Sequence, residues 1–126
     1  MSDQLVEFRQ ILESRGTGGR GPDRETRKLL MYLFTSTRGG LSRLRIIMRL
    51  LEGPLNTHQI SRELGMDYKA VQHHMRVLGR NNMVSKSGDK YGALFSLSPF
   101  LEMHAASLCE AIDALSRKMA RRKVYL

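Results

Sequence analysis

Lys69, Gln72, His73, Arg76 and Arg80 recur at helical spacing, so on a helix they share one face. A Gln amide can pair bidentately with an adenine edge, and an Arg guanidinium with guanine. Tyr68 and Lys69 fall in the first turn of the same helix, where a phosphate or a base edge comes within reach. Val71, Met75 and Leu78 fall on the opposite, apolar face. Any one of these polar residues alone is more simply a solvated side chain. Together, with the turn before them, they suit contact with the major groove of duplex DNA.

Elements on either side must present this helix. Asn56 is placed to cap a helix with Ile60 and Leu64 inward, Gly65 permits the positive φ of a tight stop, and Asp67 caps Tyr68 to about Gly79. Asn81 and Asn82 end it. The period then changes to two. Met83 and Val84 begin one strand, while Tyr91, Ala93, Phe95 and Leu97 alternate along a second, with Ser87, Gly88 and Asp89 as the turn. A hairpin directly after such a helix is a wing. Lys86 and Lys90 flank its tip, where they would meet phosphates with little sequence choice. Thr57 reads equally as a phosphate contact and as a helix-start residue. His74 lies on the inward side and reads as a buried, hydrogen-bonded histidine rather than a ligand.

Upstream, Asp3 caps a short helix with Leu5, Phe8, Ile11 and Leu12 on one face, followed by a glycine-rich break from Gly16 to Pro22. Residues 1–22 read as a loosely attached arm, with a helix swapped onto a partner as the alternative. Asp23 caps a second helix to about Phe34, buried through Leu29, Leu30, Leu33 and Phe34. A turn at Thr37–Gly40 leads to a third helix over Ser42–Leu51, stopped by Gly53 and Pro54. Arg43, Arg45 and Arg49 read as solvating that helix. Ser98 and Pro99 open one long final helix. Its apolar residues Leu101, Ala105, Leu108, Ile112, Leu115 and Met119 follow steps of four and three, a heptad seam that would pair with a copy of itself. The bland alternative is packing on its own domain. The domain layout expected is an arm over 1–23, a winged helix-turn-helix over 24–98 and a dimerisation helix with a basic tail over 99–126.

Composition agrees with a polyanionic partner. The 126 residues hold 21 Lys and Arg against 12 Asp and Glu, a formal net charge of +9. Residues 24–98 alone hold thirteen cations and five acids, so the segment with the candidate face carries most of the field. Arg117, Lys118, Arg121, Arg122 and Lys123 make the basic tail, touching phosphates or simply solvated. Cys109 is the sole cysteine, which excludes an intrachain disulfide and suits a reducing compartment. It reads as a small filler beside the seam, with a redox switch as the sharper alternative. No apolar run approaches the ~20 residues of a membrane span. A cytoplasmic, nucleoid-associated protein is expected. No catalytic constellation is visible, and the glycine run at 16–21 lacks the Lys-Ser/Thr of a phosphate loop, so an enzyme is not expected.

At the level of family, Thr37–Pro99 resembles the winged-helix domain of ArsR-type repressors, closest to the archaeal branch of small winged-helix regulators. The matching stretches are TRGG (37–40), LRIIMRLLEGPLN (44–56), ISRELGMDYKAVQHHMRVLGRNNMV (60–84) and KYGALFSLSP (90–99), with DYKAVQHHMRVL the most specific. The resemblance implies a mainly α fold with a small β-hairpin. It also implies a homodimer on a pseudo-palindromic operator, one recognition helix in each of two successive major grooves, and a C-terminal helix in the dimer. It raises metal sensing too. Residues 56–64 contain no Cys, and Glu102, His104, Glu110 and Asp113 lack a second His, so neither metal nor cofactor is expected. An architectural DNA protein with little sequence preference, and a protein-interaction module of a transcription complex, stand as alternatives.

Overall fold

The computed structural model describes residues 23–89 and 92–125, together with 6, 7, 10, 11 and 14. The latter five are helical, in keeping with a first helix; its proposed cap Asp3 and the Gly16–Pro22 break lie outside the described residues. The chain divides into two units, Met1–Gly40 with Glu102–Leu126, and Leu41–Leu101.

In the first unit, α1 spans Arg24–Met31. The Asp23 carboxylate accepts from the Thr26 backbone N–H and, at 2.5 Å, from its hydroxyl. That second bond holds Asp23 below the ordinary carboxylate range. At Tyr32 the helix widens into a π-turn through Ser36, where the Thr35 hydroxyl bonds back to the Met31 carbonyl at 2.7 Å. The chain then closes on itself so tightly that a Cβ at Gly40 would sit 2.6 Å from the Phe34 carbonyl oxygen. The long helix α6, Ala105–Tyr125, packs on α1 and on the π-turn. Leu30, Leu33, Phe34, Leu108 and Ile112 form its core. Ser107 accepts from the Asp23 N–H at 3.3 Å, Arg27 meets Glu110 at 3.1 Å, and Lys118 donates to the Thr35 carbonyl at 3.1 Å.

Two expectations change here. The expected layout places residues 24–36 with the winged helix, whereas these contacts group them with the final helix. The final helix is also not continuous: a short α5, Pro99–Met103, breaks at His104 before α6 begins. Its seam is covered by this chain's own residues. Leu101, Ala105, Leu108, Ile112 and Leu115 are buried, and Met119 is half-buried. A 3–4 apolar period records a buried stripe, whichever element covers it. Packing on the chain itself is the reading the structure supports.

In the second unit, α2 spans Gly40–Leu50, α3 Thr57–Leu64 and α4 Tyr68–Arg80. Asn56 and Gln59 make a reciprocal capping box on α3, each bond 2.8 Å. Gly65 takes φ 64° and ends the helix, with the Ser61 hydroxyl closing the turn on the Met66 carbonyl at 2.6 Å. Asp67 accepts from the Ala70 N–H and starts α4. Asn82, at φ 58°, turns the chain out of α4 into the hairpin. Strands β1, Val84–Ser87, and β2, Leu94–Leu97, pair antiparallel with Val84 opposite Leu97 and Lys86 opposite Phe95. Ser87 pairs with Leu94, so it belongs to the strand and the turn starts at Gly88. Leu55 joins Phe95 in a bridge, adding a third short line of backbone pairing.

The core of this unit is Leu44, Ile46, Ile47, Ile60, Val71, Leu78 and Met83, all fully buried. Arg45 donates to the Leu64 carbonyl at 3.2 Å, and Arg49 reaches Glu63 at 2.9 Å, so both tie α2 to α3. Arg43 corrects the solvated reading: it is 5% exposed. The architecture is mainly helical with one two-stranded hairpin, a winged helix-turn-helix.

Candidate nucleic-acid interface

Binary patterning places α4. Val71, His74, Met75 and Leu78 are buried, which turns Lys69, His73, Arg76 and Arg80 to the exposed surface and leaves Gln72 and Tyr68 half-buried beside them. The helix contains no acid in its 13 residues. Its outward face can therefore present donors to a polyanion without local competition.

His74 is held from behind. Arg43 approaches its Nδ1 at 3.4 Å. Burial first, then the positive charges of Arg43 and of neighbouring His73, depress the His74 pKa below the ordinary 6.5. A neutral imidazole suits this position, with Nδ1 accepting from the guanidinium. The expected inward, hydrogen-bonded histidine is present. Its partner went unread because Arg43 lies 31 residues earlier, on a different helix.

A groove of about 240 Å³ runs along one side of α4. Thr57 and His58 line it from the start of α3, Tyr68, Gln72 and Arg76 from α4, and Lys86 and Phe95 from the wing. No carboxylate lines it among the described residues. The structure thus brings Thr57, Tyr68, Gln72, Arg76 and Lys86 to one groove. Lys69, His73 and Arg80 lie on the open face outside its lining. Lys90 lies outside the described residues.

Two ring contacts shape the groove. His58 and Tyr68 stack with centroids 4.4 Å apart and planes 21° from parallel. Lys86 Nζ sits 6.0 Å from the Phe95 ring centroid, directly across the hairpin. Sequence reasoning passed over His58 and Phe95 as site residues. No helical or strand period links His58 to Tyr68, because the turn at Gly65 lies between them.

No group of three or more His, Cys, Asp or Glu among the described residues is arranged to hold a metal ion. Cys109 is buried, as a filler would be. No described helix is long and apolar enough to cross a membrane.

No curated protein matches this chain. Solved structures that share its fold include two of HlyU. Reduced HlyU from Vibrio cholerae N16961 is 18% identical and aligns over 73% of this chain and 90% of its own, with a TM-score of 0.53. HlyU from the same organism in a second structure is 19% identical over 75% and 94%, with a TM-score of 0.51. Residues 42–86 match the family described as "Bacterial regulatory protein, arsR family". That match spans the helix-turn-helix, from α2 into β1.

Proposed function

We propose that the protein is a transcription regulator that reads double-stranded DNA. In this reading α4 enters the major groove, with Gln72 and Arg76 at base edges and Lys69, His73 and Arg80 along the same face. Lys86 on the wing holds phosphates together with Lys90, as does Thr57 at the start of α3. The observation that carries the reading is the acid-free outer face of α4 continuing into a groove with a cation on the wing. The match of residues 42–86 supports it.

The finer form of the proposal is a homodimer on a pseudo-palindromic operator, in the cytoplasm on the nucleoid. The archaeal affinity rests on the residue resemblance alone. Because the seam is internal, the contact with a second copy is assigned to other residues. Val6, Ile11, Tyr32 and Met103 expose large apolar side chains, all in the unit that holds α1 and α6.

A titration of short duplex DNA at several salt concentrations tests the reading. Affinity should fall with a log–log slope of about −0.9 for each phosphate neutralised. Absence of binding at low salt would reject it in favour of a protein-interaction module.

A further inference from the structure

Tyr68 is the first residue of the recognition helix, and its ring does not stand alone. His58, from the preceding helix, lies flat against it at 4.4 Å between centroids. His58 belongs to the first turn of α3, whose backbone is fixed by the Asn56–Gln59 capping box. Both rings line the groove that also receives Arg76 and Lys86. A Tyr at the start of a helix ordinarily samples several rotamers, and ordering one costs side-chain entropy on binding. A ring stacked on its face removes that freedom before any ligand arrives.

We propose that His58 is a positioning residue: its stack on Tyr68 pre-sets the phenol to donate a hydrogen bond to one backbone phosphate of the bound duplex, seated in the groove between α3, α4 and the wing. The phosphate source is the DNA strand itself, so the inference rests on the DNA-binding reading above. Lys86 supplies the positive charge of the seat, and the phenol supplies directionality. The imidazole acts through its face, and its ring nitrogens are not needed.

The test is fluorescence anisotropy with one short mixed-sequence duplex, on the full chain and its variants, each checked for unchanged helicity by circular dichroism. Tyr68→Phe and His58→Ala should each weaken binding about tenfold, the loss of one hydrogen bond to a charged oxygen. The double variant should lose no more than either single change, because both act on the same bond. His58→Phe keeps a flat ring and should restore binding to near the wild-type level. If His58→Phe is as weak as His58→Ala, the imidazole itself touches the ligand and the positioning role is overturned. Additive losses overturn it equally. Wild-type binding that Lys86→Ala weakens while His58→Ala does not overturns this inference alone. A wild-type chain that fails to bind the duplex overturns the DNA-binding reading and this inference with it.

Discussion

At the scale of single residues, the side chains proposed to read sequence differ from those proposed to hold the strand. Gln72 and Arg76 face outward from α4 with the groove beside them. Arg76→Ala and Gln72→Ala should each reduce discrimination between a preferred and a random duplex by ~1–3 kcal/mol. Lys86→Ala should instead weaken all duplexes alike and flatten the salt slope; competition assays against both duplexes separate the two behaviours. His74 gives a pH prediction. Its folded pKa lies below 6.5 through burial, then Arg43 and His73, so the unfolded chain binds the proton more readily. Stability from this site is therefore full above 6.5 and is lost as pH falls from there through the lower folded value. Urea midpoints between neutral and mildly acid pH should decline in the wild type, with a shallower decline in His74→Gln. Equal slopes would contradict the buried neutral imidazole. His74 was legible in the sequence from its place between Val71 and Leu78. Arg43 was not, since a lone Arg among alternating Arg and Leu reads as solvated until the helix facing it is known.

At the scale of elements, capping chemistry was the most legible part of the chain. Asn56, Gly65 and Asp67 are short-range signals, and each does locally what its type allows. Asn56→Ala removes one arm of the capping box and should cost ~0.5–2 kcal/mol in chemical denaturation, with the loss centred on α3. Features set by long-range packing were read less well. The π-turn at Tyr32–Ser36 has no period of its own; it follows from the Thr35 back-bond and the close approach of Gly40 to Phe34. Gly40→Ala puts a Cβ against fixed backbone and should destabilise by ~1–3 kcal/mol, measured by urea unfolding. The heptad seam is a related case. Its spacing reports that a stripe is buried, and α1 with the π-turn already buries most of it. Leu108→Ala should thus cost ~2–5 kcal/mol of folding stability. A change in solution mass at unchanged unfolding midpoint would return the seam to a partner helix.

At the scale of the whole molecule, charge and fold point the same way. The net charge of +9 is concentrated in residues 24–98, and the acid-free outer face of α4 lies within that stretch. A field of this kind attracts any duplex, so affinity alone does not distinguish a regulator from an architectural protein. Specificity does. The most direct measurement is selection of binding sites from a pool of random duplexes at physiological salt, with enrichment scored against bulk DNA. The account predicts an enriched inverted repeat whose half-sites lie about 10 base pairs apart, centre to centre. Tight binding with no enriched sequence would contradict it and leave an architectural role.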